Sequence, residues 1–166
     1  MLGTGFYGLN LPSIGWRVPD SVKKILAAVA VALFYKFVRE AVFAFYYKST
    51  PCFSIIPGEL WSKLHNPLSY YFLFIIPFAI PIFEELFYRG FVYKVLEEKT
   101  GWKGAVIVSA CLFSIFHTEK LISINFEIFL KGLIFGLLRK WDGSIWSSVA
   151  AHSTGNLLLS WFSFRA

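Results

Sequence analysis

Five stretches of the chain are apolar over helix length, and charged or turn-forming residues separate them. The first, residues 26–47, is long enough to cross a bilayer, since about 20 residues rising about 1.5 Å each traverse about 30 Å. It also holds Lys36, Arg39 and Glu40, with Lys36 and Glu40 four apart and able to pair on one face. Either this helix turns a polar stripe inward or it lies in the interface; spanning is the favoured expectation. A loop follows over 48–66, with Pro51, Pro57, Gly58 and His65, the last read as an ordinary solvated histidine. The second stretch, 68–96, contains Pro77 and Pro81, each lacking a backbone donor, and is expected to kink or break there. A polar connection with Glu97, Glu98, Lys99 and Lys103 leads to the third stretch, 104–117. The fourth, 121–138, includes Gly132 and Gly136, a small-residue pair that lets two backbones approach, within the molecule or in a dimer. Arg139, Lys140 and Asp142 form a turn before the fifth stretch, 144–162. Apolar runs this long argue for helices. The expected fold is all-α, a transmembrane bundle of about five spanning helices around a polar cavity. Residues 1–24 form a cytosolic or interfacial arm and 25–166 the membrane domain.

Composition strengthens the membrane expectation. Apolar residues make up 57% of the chain, charged residues only 16%, and there are 19 Phe; soluble domains average about 45–50% apolar with about a quarter charged. The net charge of +6 does not call for nucleic acid, because the cations flank apolar runs as headgroup anchors would. One set of connections collects Arg17, Lys23, Lys24, Lys94, Lys99, Lys103, Arg139 and Lys140; the other has Lys48, Lys63, Lys120 and Arg165. That bias places the N-terminus in the cytosol of a multi-pass protein, expected in a prokaryotic cell membrane. Cys52 and Cys111 fall at different expected depths, so no disulfide is expected. The N-terminus has no signal-peptide pattern.

Ionisable residues at bilayer depth are costly and point to function. They occur in three places: Glu84, Glu85 and Arg89 in the second stretch, His117 at the end of the third, and His152 with Asn156 in the fifth. Helical rise puts Glu84 about 18 Å, His117 about 20 Å and His152 about 12 Å from the cytosolic ends of their stretches, so three helices bring polar groups to similar levels. Glu85 and Arg89 share a face and can neutralise each other. Glu84 points about 100° away and is expected to lack that partner; an unpaired buried carboxylate titrates higher, towards what a general base needs. His152 and Asn156 also share a face and offer two donors suited to an oxyanion. Each residue has a plainer explanation. A lone membrane histidine or asparagine commonly bonds a neighbouring helix. Glu127 and Lys131 form an ordinary pair four apart. Ser114, Ser153 and Thr154 are expected to bond back to their own helix. Ser153 lacks a Gly-x-Ser-x-Gly setting, so it is a weak nucleophile candidate. The set, rather than any one member, carries the site hypothesis.

Glu84-Glu85-x-x-x-Arg89, then Phe113-x-x-x-His117, then His152-x-x-x-Asn156, resembles the three-motif signature of the CAAX protease and bacteriocin-processing (CPBP, or ABI) family, whose eukaryotic relative is the CAAX prenyl endopeptidase Rce1. The resemblance covers about 68–162. It implies an intramembrane glutamic endopeptidase cutting near the C-terminus or membrane anchor of a protein or peptide substrate. In that family Glu84 would activate water with His117, His152 and Asn156 would hold the oxyanion, and Glu85, Arg89 and Phe113 would shape the site. The chain is shorter than larger members, which leaves substrate access and oligomeric state open.

No cofactor is expected. The runner-up is a zinc protease liganded by Glu84, His117 and His152, although no His-Glu-x-x-His helix is present. A non-catalytic immunity or peptide-binding protein is a further alternative. A small transporter is another, without the internal repeats that would favour it. The expected partners are the bilayer and a membrane-associated substrate.

Overall fold

A computed structural model describes residues 10–47, 54–55, 71–117 and 122–163. The loop expectations for 48–66, with Cys52 and His65, and the cations Lys120 and Arg165 lie outside the described residues, apart from Ser54 and Ile55. The described chain is helical. α1 spans Val22–Tyr47. A continuous helical run then passes through π1 (Tyr71–Ala79), α2 (Ile80–Glu85) and π2 (Leu86–Val92) into α3 (Tyr93–Phe116). α4 (Ile122–Asp142) and α5 (Trp146–Trp161) complete the bundle. Two short strands, β1 (Ser54–Ile55) and β2 (Phe162–Ser163), pair antiparallel with Ser54 opposite Ser163.

At Pro77 and Pro81 the regular α pattern of the second stretch is interrupted, while the helical run continues. The backbone widens to an i→i+5 pattern over π1, with Pro77 inside it. The next rung of that ladder, from the Ile76 carbonyl, would need an N–H at residue 81, and Pro81 has none. The α register then takes over at Ile80. The real corner comes later, at Gly101 (φ 72°, ψ 172°), a left-handed backbone that side chains resist and glycine accepts. It divides α3 where the polar connection of the sequence falls, so the second and third stretches correspond to the two sides of this corner.

α5 occupies the middle, with α1, π1, α2 and α4 packed around it, and the second half of α3 lies along α4. The α3–α4 approach depends on the two glycines. A Cβ at Gly132 would stand 3.0 Å from Ala110, and one at Gly136 would stand 3.1 Å from Val106. Gly132 and Gly136 therefore serve packing inside the chain. Residues 10–20 are strapped onto the α4–α5 corner: the Ile145 N–H donates to the Gly15 carbonyl at 2.9 Å, Arg17 Nε donates to the Gly143 carbonyl at 3.0 Å, and Ser144 Oγ donates to the Arg17 carbonyl at 2.9 Å. Trp16 packs on Trp146 at 5.1 Å between ring centroids.

One expectation is corrected. Among the described residues, no helix is long and apolar enough to cross a membrane. The reason lies in the polar residues that interrupt each run: Lys36, Arg39 and Glu40 in α1, the charged corner inside α3, Glu127 and Lys131 in α4, and the 16-residue length of α5. The distribution of side chains is nonetheless unlike that of an ordinary soluble core. Glu85 and Arg89 are fully buried, and Ser109, Ser144, Ser147 and Ser148 with them, while Phe34, Phe37, Phe83, Phe87 and Phe116 are exposed.

Candidate active site

Four parts of the bundle deliver the site residues. α2 ends with Glu84 and Glu85, π2 carries Arg89, the end of α3 carries Phe113 and His117, and α5 carries His152 and Asn156. Three of these meet closely. Glu84 Oε2 lies 3.9 Å from His117 Nε2 and 3.7 Å from His152 Nε2. Glu84 is thus not isolated as its helical position suggests. It faces two imidazole rings from two other helices. Its Oε2 is buried and accepts no hydrogen bond from the protein.

The two rings are oriented by their other nitrogens. His117 Nδ1 is 2.7 Å from the Phe113 carbonyl, one turn back on α3. A carbonyl can only accept, so Nδ1 carries the proton, and in the neutral ring Nε2 presents a lone pair towards Glu84. His152 Nδ1 is 2.9 Å from Glu85 Oε1, and the same logic assigns Nδ1–H as donor to the carboxylate. Glu85 is fixed in turn by Arg89, whose Nη1 donates to Oε1 at 3.3 Å and whose Nε lies 3.3 Å from Oε2. Arg89 Nη2 donates to the Gly132 carbonyl at 3.0 Å, and Arg139 Nε donates to the Arg89 carbonyl at 3.0 Å. Glu85 and Arg89 form the pair expected from their spacing. That pair also has a task their spacing does not reveal, which is to hold the His152 ring.

Asn156 has a partner that its spacing from His152 does not reveal. Its Nδ2 donates to the Ile76 carbonyl at 3.1 Å, the carbonyl that Pro81 deprives of a helical partner. One amide hydrogen is engaged there and the second remains. Thr154 Oγ1 bonds back to Ala150 at 2.7 Å as expected, but Ser114 Oγ donates across to the Asn125 carbonyl of α4 at 2.6 Å. α4 begins only a few residues after α3 ends, which brings its first turn within reach of Ser114, and the second lone pair of the Asn125 carbonyl accepts this bond.

Beside this cluster lies a cavity of about 300 Å³ whose wall includes His117, His152 and Asn156, the rings of Phe113 and Phe135, and the charged side chains Arg39, Glu127 and Lys131. Glu84 meets it through the two imidazoles. A family model described as type II CAAX prenyl endopeptidase Rce1-like matches residues 66–158, more than half of the chain and every residue of the cluster. The chain belongs to the Rce1-like family. No curated protein and no solved structure matches it.

Two features of this Rce1-like site were not legible in its motifs. Phe135 stacks on His152 (4.9 Å between centroids, 21° between planes), and Phe113 meets His152 edge-on at 5.8 Å and His117 at 4.3 Å. The two phenyl rings also flank the Arg89 guanidinium, at 4.4 Å for Phe113 and 5.3 Å for Phe135. Phe113 is thereby a wall shared by Arg89 and both histidines. Phe135 sits one residue before Gly136 in an apolar run, and nothing in that run marks it. The second feature is the arrival of α1, from outside the matched residues, with Arg39 at the cavity. As for the zinc alternative, among the described residues no group of three His, Cys, Asp or Glu side chains is arranged to hold a metal ion.

Proposed function

We propose that this Rce1-like chain is an intramembrane endopeptidase in which Glu84 is the general base. The observation that carries this reading is the meeting of Glu84 Oε2 with His117 Nε2 and His152 Nε2 within 3.9 Å. A water molecule about 2.8 Å from Glu84 and one ring nitrogen fits that triangle, donating one hydrogen to each. Glu84 takes the proton as the oxygen attacks the peptide carbonyl, and His117, locked by Phe113, orients the water. Charge then develops on the carbonyl oxygen. His152 has spent Nδ1–H on Glu85, so its Nε2 donates when the ring is protonated, and the buried carboxylate of Glu85 balances that imidazolium. The remaining amide hydrogen of Asn156 is the second donor. In a site walled by phenyl rings such preorganised donors act with little screening. No step of this mechanism calls on a metal, and among the described residues no group of three His, Cys, Asp or Glu side chains is arranged to hold one.

Residence in the bilayer completes the proposal. Phe83, Phe87 and Phe91 follow one another at four-residue spacing and are exposed by 71%, 52% and 36%, while Glu85, Tyr88 and Arg89 of the same run are buried. A run with oil outside and charge inside is suited to lipid, where intramembrane charges face the bundle interior. The polar inner faces are what lower each helix below the hydropathy of a simple span. The experiment is cleavage of a library of membrane-anchored peptides by the protein in detergent, comparing wild type with Glu84→Gln and His117→Ala, with and without chelator. Chelator-resistant cleavage that both substitutions abolish is expected. Cleavage that survives Glu84→Gln, or that a chelator stops, would overturn the mechanism.

A further inference from the structure

Arg139 and Lys140 are neighbours in the last turn of α4 and are placed very differently. The Lys140 side chain is 47% exposed and pairs with Glu97 at 3.7 Å, as suits a cation at a headgroup surface. Arg139 is only 6% exposed. Asp142, the acid of the same turn, pairs with Lys24 at 3.6 Å, and among the described residues no carboxylate pairs with the Arg139 guanidinium. The guanidinium lies instead against Tyr93, 5.5 Å from the ring centroid, and under the backbone of Gly15, where a Cβ would stand 2.7 Å from Cζ and Nε. A buried cation without a counter-charge is costly, so an anchoring charge does not account for this placement.

The hydrogen bond of its side chain does. Arg139 Nε donates to the Arg89 carbonyl at 3.0 Å. In an α register that carbonyl would receive the Tyr93 N–H, four residues on. At the end of π2 the Tyr93 N–H is directed to the carbonyls of Tyr88 and Gly90, and Arg139 supplies a donor to the one between them. Wide turns of this kind collect at functional sites. Here the turn carries Arg89, which holds Glu85, which holds the His152 ring at 2.9 Å. The strap closes over both partners: a Cβ at Gly90 would stand 3.1 Å from the Ile14 carbonyl, next to the Gly15 that covers Arg139.

We infer that Arg139 is a positioning residue for the site: its Nε fixes the wide turn that carries Arg89 and thereby sets the Arg89–Glu85–His152 chain that faces Glu84. Its effect on turnover rests on the peptidase reading; its effect on the His152 ring does not. The donor, rather than the charge, is what the position requires.

Three replacements separate donor from charge. Glutamine Nε2 is as many bonds from the backbone as arginine Nε, so Arg139→Gln keeps the donor and discards the charge. Arg139→Lys keeps the charge and puts a methylene at that atom. Arg139→Met has neither. Each protein is purified in neutral detergent, and kcat on a pool of membrane-anchored peptides is taken per folded molecule, counted by size exclusion. The imidazole nitrogen NMR shifts of His152, assigned by their loss in His152→Ala, are recorded on protein with isotope-labelled histidine. Arg139→Gln is expected to match wild type in both readouts. Arg139→Lys and Arg139→Met are expected to move the His152 signals and to lower kcat about 10- to 100-fold with KM little changed, the effect of displacing a catalytic group by about 1 Å. Arg139→Lys that equals or exceeds Arg139→Gln in either readout would assign the residue to charge and overturn the inference. So would wild-type behaviour of Arg139→Met, or a fall in kcat with the His152 signals unmoved. If Arg139→Met yields no folded protein, the order of Gln and Lys decides; failure of all three to fold would make Arg139 a folding determinant and overturn the inference equally. The NMR arm needs no substrate: His152 signals that move in Arg139→Lys and Arg139→Met, with a wild type that cleaves nothing, sink the peptidase reading and leave the positioning role standing.

Discussion

Glu85 Oε1 stands 2.9 Å from His152 Nδ1, joining two helices that are 67 positions apart in the chain. The contact makes Glu85 a positioning residue for the ring that faces Glu84. Glu85→Gln keeps the shape and removes the charge that offsets a protonated His152. The expected outcome is a fall in kcat on the order of 10²- to 10⁴-fold with KM little changed, as when the acid behind a catalytic histidine is neutralised. Steady-state kinetics on any cleaved peptide checks this. A purely structural Glu85 would instead lower the amount of folded enzyme and leave kcat per folded molecule unaltered.

Arg89 is the counter-charge that makes Glu85 tolerable, and both are fully buried. Arg89→Met is expected to cost about 3–5 kcal/mol, because it strands a buried carboxylate and frees the Gly132 carbonyl. Arg89→Lys is expected to recover only part of this, since one ammonium cannot serve Glu85 and Gly132 with the geometry of the fork. Thermal unfolding in detergent gives the ranking. Equal melting temperatures for wild type and Arg89→Met would show that the pair is not what holds α2 and π2 to α4.

Much of this arrangement was legible in the sequence, and the parts that were not have physical reasons. Spacing alone placed Glu85 with Arg89 and Lys36 with Glu40, because partners four apart on a helix meet whatever the tertiary fold. The three motifs brought Glu84, His117 and His152 to one level. One atom on each of His152 and Asn156 is engaged by a neighbour on another helix, which sequence periodicity cannot see. Arg39 with Glu127 is the same kind of contact, 88 residues apart. The prolines marked where the α register changes, but not that a wider helical register carries the run through them. The membrane spans were counted from apolar runs, yet the polar face inside each run is what keeps the described helices from qualifying as spans.

Asn156 tests whether one amide serves two purposes. Asn156→Ala removes the donor to the half-buried Ile76 carbonyl, and leaving that carbonyl unpaired is expected to cost on the order of 1 kcal/mol. It also removes the proposed oxyanion donor, expected to lower kcat on the order of 10²- to 10³-fold. Pro81→Ala separates the two effects by returning an N–H to residue 81, where the wide helical register can offer it to Ile76. The double variant is expected to regain melting temperature and not activity. Recovery of both would reduce Asn156 to a cap for π1.

The α3–α4 seam is as tight as backbones allow at Gly132. Gly132→Ala sets a methyl 3.0 Å from the Cα and Cβ of Ala110, so the helices must part. Overpacking of this kind is expected to cost about 1–3 kcal/mol. Parting them also moves His117 and Phe113 on α3 away from Phe135 on α4, so activity should fall further than stability. Ala110→Gly added to Gly132→Ala is expected to recover part of both, measured by melting and by kcat.

Phe83 and Phe87 decide what surrounds the bundle. Both point outward, one turn apart, on the run that carries Glu84 and Glu85, and Phe87 stacks on Phe91 at 6.5 Å. In water, replacing either with arginine would relieve an exposed apolar patch, raise solubility and leave the site intact. In a bilayer the same change places a charge among lipid chains, at a cost of about 2.5–3.5 kcal/mol near the midplane. The expected result is that Phe83→Arg and Phe87→Arg each lower the fraction retained in membranes after alkaline carbonate extraction, with the double variant lower still. Glu98→Arg is the control, because Glu98 is exposed beside the Gly101 corner, at the charged end of the run where cations anchor to headgroups; it should leave that fraction unchanged. Wild type released by carbonate, or retained no better than the double arginine variant, would remove the bilayer from the proposal while leaving the cluster of Glu84, His117 and His152 to be tested in solution.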